Sequence, residues 1–388
     1  MSQSAPPVPV ARPVLDEREA EAARRAILSG WVTQGPEVAA FEREFAEAVG
    51  ARFACATSSC TTALHLALLA VGTRPGDEVV TVSHSFIATA NAVRYCGATP
   101  VFVDIEPGSF NMDPACVEAA IGDRTSALLL VHQLGMPCDL ARLIEIARRH
   151  DLPVIEDAAC AIGSEIRWDG RWERIGRPHG DIACFSFHPR KLLSTGDGGM
   201  ATTSDEATDA RMRQLRHHGM SVSDTVRHAS SRVVFETYPV LGFNYRLTDI
   251  QAAIGREQLK RLPDLVARRR ELADRYRARL GAVSGVRVPV EPEWARSNWQ
   301  SFAVTLDPSI DQHTVMQRML DEGIATRRGA MNAHSEAAYP PGSWRAPARL
   351  AASERATERT VVLPLYHQMT IDEQDRVVRA LARAVEAG

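Results

Sequence analysis

The stretch FSFHPRKLLSTGDGGM, residues 185–200, carries a lysine in a chain that otherwise favours arginine. Of the 45 basic residues only Lys191 and Lys260 are lysine; the other 43 are arginine. A surface charge or a phosphate clamp can be built from either residue type. Only lysine gives up its proton at ordinary pH to become a nucleophilic amine. Lys191 follows an apolar run and precedes a glycine-rich turn, which places the amine at a strand end. The chemistry this suggests is a Schiff base between Lys191 and a carbonyl cofactor. Chance retention is the competing reading, and it suits Lys260, on an exposed-looking helix.

A Schiff-base cofactor of the pyridoxal phosphate (PLP) type needs an acid on its ring nitrogen, a lid and a phosphate site. LPVIEDAACAIGSE puts Asp157 at the end of an apolar strand, 34 residues before Lys191. A carboxylate there can pair with a pyridinium. An isolated Asp after a strand is as often a helix N-cap, and the neighbouring Glu156 is a rival by sequence alone. ACATSSCTTALHLALLAVG supplies a strand, a Ser/Thr turn and an apolar helix. Ser59, Cys60 and Thr61 then lie at a helix N-terminus, where free N–H groups and hydroxyls bind phosphate. Plain N-capping explains the same residues. Phe86, in VTVSHSFIATANA, can stack on a ring or fill the core, and Ser186 can reach a phosphate. Each signal is weak alone. Together they supply every part the cofactor needs, each on a turn after a strand.

Those turns need elements to hold them. Asp16 can cap a helix to about Leu28, and Pro36 opens a second, with Val38, Phe41, Phe45 and Val49 on one stripe and Gly50 as its stop. From Phe53, β-prone runs alternate with helical ones: strands over 78–82, 98–105, 126–132, 152–157, 181–187 and 198–203, helices over 59–71 and 139–150. This alternation predicts an α/β fold with a mostly parallel sheet, whose binding groups collect at the strand C-termini. After about Gly255 come a long helix interrupted near Pro263, a strand over 301–307 and a helix over 312–322 closed by Gly323. A last helix opens on the Thr370–Glu373 capping box, with Val377, Val378, Leu381 and Val385 on one face. The expected organisation is an N-terminal arm over 1–15, a large domain over 16–255 and a smaller C-terminal α+β domain over 256–388.

Composition narrows the function classes. The formal net charge of −3 comes without a basic stripe, so no nucleic-acid partner is expected. No run of about 18 apolar residues occurs, so no membrane span is expected, and the start lacks the apolar core of a signal peptide. Seven cysteines, none in C-x-x-C spacing, read as reduced thiols in a cytoplasmic protein. The histidines form no metal-binding pair on a clear helix, so no metal is expected.

The stretches GWVTQGPEVAAFEREFA, SSCTTALHLALLAVGTRPGDEVVTVSHSFIATANAV, VIEDAACAIGS, FSFHPRKLLSTGDGGM, LRHHGM and LGFNYRLTDIQAAIG resemble the DegT-like family of PLP-dependent sugar aminotransferases. They cover almost all of residues 14–260 in family order. The C-terminal part matches more loosely, through GIATRRGAMNAH and LPLYHQM. The resemblance implies the PLP-dependent transferase fold type I, that of aspartate aminotransferase. It implies that Lys191 forms the internal Schiff base and then serves as acid and base for the proton shift. Asp157 would pair with the pyridine nitrogen, Phe86 would stack on the ring, and Ser59, Cys60, Thr61 and Ser186 would line the phosphate site. Asn244, in GFNYR, would reach the phosphate of a neighbouring subunit, which implies a homodimer with shared sites.

Two positions depart from the family pattern. Cys60 stands where glycine is frequent, and its N–H can still serve. Cys160 stands after EDAA where His or Gln is usual, and a thiol cannot hydrogen-bond the ring's 3-hydroxyl in the same way.

The function implied is ping-pong transfer of an amino group from an amino acid, L-glutamate, to the keto group of a nucleotide-linked sugar. A keto-cyclitol or another natural-product intermediate suits the same motifs. A deoxygenating sugar dehydratase of the same family carries His in place of the lysine, so Lys191 disfavours it. A catalytically silent regulator is disfavoured by the retained Lys191, Asp157 and phosphate loop. Trp31, Gln34, His188, Arg327, Arg328 and His334 are candidate contacts to the sugar or nucleotide phosphates. Arginine suits a diphosphate through its bidentate fork, although in an arginine-rich chain Arg327 and Arg328 serve equally as surface charge.

Overall fold

Helix α1 (Glu17–Leu28) starts at the predicted cap. The Asp16 carboxylate accepts the Arg18 N–H at 2.9 Å, and the Glu19 carboxylate accepts the Asp16 N–H at 2.8 Å. The computed structural model describes residues 6–222 and 230–386. Residues 1–5 of the expected arm, 223–229 of the expected large domain and 387–388 of the expected small domain lie outside the described residues. Helix α2 (Pro36–Val49) has proline in its first turn and stops at Gly50, whose φ of +80° suits a residue without Cβ. Its stripe of Val38, Phe41, Phe45 and Val49 is buried.

The alternating region then forms β1 (Phe53–Thr57), α3 (Cys60–Ala70), β2 (Glu78–Val82), α4 (Ala88–Tyr95), β3 (Thr99–Val103), β4 (Thr125–Val131), α5 (Leu140–Arg149) and β5 (Val154–Asp157). A hairpin of β6 (Glu165–Trp168) and β7 (Arg171–Arg174) follows, then β8 (Ile182–Ser186), β9 (Gly199–Thr203) and α6 (Glu206–Arg216). The central sheet has seven strands in the order β1-β9-β8-β5-β4-β2-β3. Strand β9 is antiparallel to both neighbours, and every other pairing is parallel. Helices on both faces bury these strands, which is why they read as continuous apolar runs.

Helix α7 (Asp249–Lys260) breaks at Arg261 before α8 (Leu262–Leu280), which carries Pro263 in its first turn. Helix α8 joins two cores. Leu262, Leu265 and Val266 pack in the core beneath the central sheet, while Leu272, Ala273, Tyr276 and Leu280 pack in a second core. The chain continues with β10 (Val286–Arg287), β11 (Ala295–Arg296), β12 (Phe302–Leu306), α9 (Gln312–Asp321), β13 (Arg327–Arg328), α10 (Ala351–Arg359), β14 (Thr360–Leu363) and α11 (Ile371–Glu386). Strands β10-β12-β14-β13 form an antiparallel sheet. The Thr370–Glu373 capping box opens α11 with bonds of 2.8 and 3.1 Å. The chain is therefore α/β, with a mostly parallel central sheet and a smaller C-terminal α+β part.

The β6–β7 hairpin is an addition to the expected elements. It pairs with β11 in a third, small sheet. Its strands are charged and half exposed, so they lack the apolar run of the central strands. Its turn does carry a signal: Asp169 and Gly170 both have positive φ, +47° and +79°, as a two-residue Asp-Gly hairpin requires. Among the described residues no helix is long and apolar enough to cross a membrane.

Candidate active site

The C-terminal ends of β4, β5 and β8, the turn after β2 and the N-terminus of α3 converge on one cavity of about 450 Å³. Asp157, the last residue of β5, faces it and is buried. Its Oδ2 accepts the Thr89 hydroxyl at 2.7 Å and its Oδ1 accepts the Ala159 N–H at 3.1 Å. Burial raises the Asp157 pKa; the two bonds and the nearby Lys191 charge offset this only in part.

Side chains alternate across a strand, so Glu156 points to the other face. Its Oε2 meets His132 Nε2 at 2.9 Å, with both side chains fully buried, and its Oε1 accepts the Gly180 N–H at 3.3 Å. His132 Nδ1 accepts the Cys138 N–H at 3.1 Å. That bond leaves the ring proton on Nε2, from which it is donated to Glu156. Of the two carboxylates the sequence leaves open, Asp157 is the one that lines the cavity.

Lys191 lies on the loop between β8 and β9, where its backbone N–H donates to His188 O at 2.8 Å. Its Nζ donates to Cys160 Sγ at 2.9 Å. Burial works against the ammonium. The neighbouring Cys160 sulfur, with Asp157, outweighs that and leaves the lysine pKa above its ordinary value. Burial pushes the Cys60 thiol well up, which keeps it neutral.

Ser59 caps α3, its Oγ accepting the Thr62 N–H at 3.2 Å, and the Thr62 hydroxyl oxygen accepts the Ser59 N–H at 3.1 Å. The N–H groups of Cys60 and Thr61 open the helix, where no intrahelical partner exists. Gly199, paired with Ser186 across β8 and β9, passes against this helix end. A Cβ on Gly199 would sit 2.4 Å from the Ser59 carbonyl carbon and 2.6 Å from the Cys60 nitrogen. The residues present fit a phosphorylated pyridine aldehyde: an anion-binding helix end, a buried carboxylate and an amine face one cavity.

Ser59, Cys60, Thr61, Phe86, Asp157, Cys160, Ser186, His188, Lys191, Arg327 and Arg328 all line this cavity. Phe86 is 64% exposed, so it does not fill the core. Trp31, Gln34, Asn244 and His334 are not among the lining residues. The Trp31 indole N–H donates to Gln34 O at 3.0 Å, which folds that turn on itself. His334 Nδ1 bonds Ser83 Oγ at 2.7 Å and is built into the contact between the turn after β2 and the segment after β13. Asn244 is exposed, with its Oδ1 accepting Arg246 Nε at 3.1 Å. Thr89, His132 and Gln300 were not expected; Thr89 and His132 bond Asp157 and its neighbour Glu156, and His132 and Gln300 line the cavity. For Thr89 a signal existed, a hydroxyl one turn after Phe86 in the helix that follows β2. For His132 and Gln300 none did, because their partners are distant in sequence.

The DegT/DnrJ/EryC1/StrS aminotransferase family matches residues 13–382. The spore coat polysaccharide biosynthesis protein SpsC of Bacillus subtilis (strain 168) is 36% identical over 383 residues, which cover 98% of this chain and 97% of SpsC. GDP-perosamine synthase of Caulobacter vibrioides (strain ATCC 19089 / CIP 103742 / CB 15) is 38% identical over 390 residues, covering 97% and 98%. The crystal structure of the aminotransferase TlmJ from Streptoalloteichus hindustanus superposes with a TM-score of 0.89 at 34% identity, covering 98% of this chain and 99% of TlmJ.

Proposed function

Because this chain belongs to the DegT/DnrJ/EryC1/StrS aminotransferase family, we propose that it moves the amino group of L-glutamate to the keto group of a nucleotide-linked sugar, using pyridoxal 5'-phosphate held at Lys191. The observation that carries this is the cavity itself. It holds one lysine, one buried carboxylate and one helix N-terminus, while Lys260 lies exposed elsewhere, paired with Glu257 at 2.8 Å. Relatives named for polysaccharide biosynthesis and for GDP-perosamine support the sugar acceptor.

The N–H groups of Cys60 and Thr61 would hold the phosphate, with the Ser59 and Ser186 hydroxyls beside them. Asp157 would hold a proton on the ring nitrogen, and Phe86 would cover the ring. When bound, the group supplies an electron sink for proton removal next to nitrogen. Lys191 Nζ would take the proton from the amino-acid carbon and return it during transfer. Leu64, Val131 and Leu134 give the cavity apolar walls that limit water. Arg327 and Arg328, from β13, would meet the diphosphate of the acceptor.

A homodimer is the functional unit in this reading. Val233, Phe235 and Leu241 are 84%, 87% and 87% exposed on the segment that leads to Asn244, an apolar surface suited to a second copy. A cytoplasmic location fits cysteines that are all free thiols.

The test is a panel of nucleotide-linked keto sugars incubated with glutamate, read by release of 2-oxoglutarate. Release with one member supports the reading, and none with any member overturns the acceptor. An enzyme that still turned over as Lys191→Arg would overturn the role of the amine.

A further inference from the structure

The turn after β5 brings a cysteine against the amine on which the proposed chemistry rests. Cys160 Sγ lies 2.9 Å from Lys191 Nζ, in direct hydrogen-bond contact. Both backbones that carry this pair are held by one short segment, residues 298–300, which precedes β12. The fully buried Asn298 amide donates to Cys160 O and to Ile162 O, each at 2.8 Å. The Gln300 amide donates to Arg190 O, next to Lys191, at 3.0 Å. The segment is itself braced. Asn298 Oδ1 accepts the Gln300 N–H at 2.8 Å, and the Asn298 N–H donates to Ser164 Oγ at 3.0 Å. Ser164 Oγ in turn donates to Gly135 O at 2.7 Å. Gly135, at φ +97°, makes room for this; a Cβ there would sit 2.1 Å from Asn298 Oδ1.

We propose that Cys160 is a positioning residue for Lys191: its sulfur accepts the amine's hydrogen bond and fixes the direction of Nζ, while Asn298 and Gln300 hold the two backbones in register. The assignment rests on Lys191 being the reacting amine. It gives this chain's departure from the family pattern a role of its own, toward the lysine.

The consequence for the proton on Nζ follows from the groups around it. Asp157 on β5 and Cys60 on α3 face Lys191 along with Cys160, and His188, Arg190, Asp197, Arg327 and Arg328 line the same cavity. A sulfur that accepts the amine's hydrogen bond favours the charged ammonium, and burial disfavours it. Removing the sulfur leaves burial less opposed, so the amine loses its proton at lower pH and becomes reactive earlier.

The chain carries its own control for measuring this, because Lys260 is the other lysine and its side chain is 62% exposed. The experiment is acetic anhydride labelling of the full chain freed of cofactor, across pH, with Lys191 and Lys260 read separately by mass spectrometry. For Cys160→Ala the Lys191 midpoint falls, and labelling below it rises about tenfold for each unit of the fall. Cys160→Ser, which keeps a hydrogen-bond acceptor on a shorter reach, lies between. Lys260 does not move. Equal Lys191 midpoints in wild type, Cys160→Ala and Cys160→Ser would overturn the proposal, and a retained near-ultraviolet circular dichroism spectrum identifies the folded variants. Labelling needs no turnover. A shifted midpoint in a chain that transfers no amine refutes the proposed function alone, and an unshifted one in an active chain refutes the positioning alone.

Discussion

The Thr89 hydroxyl donates to Asp157 Oδ2 at 2.7 Å, tying the first turn of α4 to the last residue of β5. Thr89 is buried and also meets Ser85 Oγ at 2.8 Å. The bond lowers the Asp157 pKa against the burial that raises it, so it favours the ionised carboxylate that a pyridinium needs. Thr89→Val keeps the shape and removes the donor. Hydrogen bonds to charged groups contribute roughly 1.5–3 kcal/mol, so cofactor affinity is expected to fall at least about tenfold, with Thr89→Ser close to wild type. Titration of the cofactor-free chain, followed by absorbance, measures this. Unchanged affinity in the valine variant would mean that Asp157 does not depend on Thr89.

Gly199→Ala tests the close approach of β9 to the phosphate-site helix. The added Cβ meets backbone atoms of Ser59 and Cys60 at 2.4–2.6 Å, and backbone at a helix start cannot swing away as a side chain can. Overpacking of this kind costs about 1–3 kcal/mol, and here the displaced atoms are the proposed phosphate ligands. The expected result is a lowered melting temperature together with weakened cofactor binding. A variant that lost stability but bound cofactor normally would place the phosphate elsewhere.

Much of this arrangement is legible in the sequence, because the central strands are buried on both faces and the turns after them are short. Capping residues such as Asp16, Pro36 and Thr370 act within a few positions, so the sequence displays them directly. Asp157 and Glu156 mark where that legibility ends. Both sit in one strand, and which of them faces the cavity depends on the pleat and on His132, 24 residues away. The Cys160–Lys191 contact and the Asn298 clamp join residues 31 and 138 apart. Local pattern carries no trace of such pairs. Trp31 and His334 show the converse: their types suggested binding, but a turn and a Ser83 contact occupy them.

Acid sensitivity is expected from His84, which sits in the turn after β2. It is buried, its Nδ1 lies 3.1 Å from Asn332 Oδ1, and burial holds its pKa at about 4 against an ordinary 6.5. As pH falls below 6.5 the unfolded chain takes up this proton first, while the folded chain resists until about pH 4. Stability is therefore present above pH 6.5 and lost progressively as pH falls toward 4. Between pH 7 and 5 one such histidine accounts for about 2 kcal/mol. His65, also held at about 4 by burial, acts in the same direction. Urea unfolding at the two pH values should show a smaller difference in His84→Gln than in wild type. An equal difference in both would show that His84 is protonated in the folded chain.

Arg327 and Arg328 distinguish the two substrates of the proposed reaction. Both are exposed on β13 at the cavity, Arg328 at 3.6 Å from Glu336. If they meet the acceptor's diphosphate, replacing either with alanine raises the KM for the nucleotide-linked sugar about tenfold, equivalent to about 1.4 kcal/mol. That lies close to the value of a hydrogen bond to a charged group. The glutamate half-reaction, followed alone by stopped-flow absorbance, should keep its rate and half-saturation, because the amino acid carries no diphosphate. Added salt should weaken acceptor binding in wild type more than in the double alanine variant, since exposed charges are screened over about 10 Å at 0.1 M. Equal losses in both half-reactions would reassign these arginines to the carboxylate of the amino acid. An unchanged sugar KM would instead show that the acceptor's diphosphate is met by groups other than these arginines.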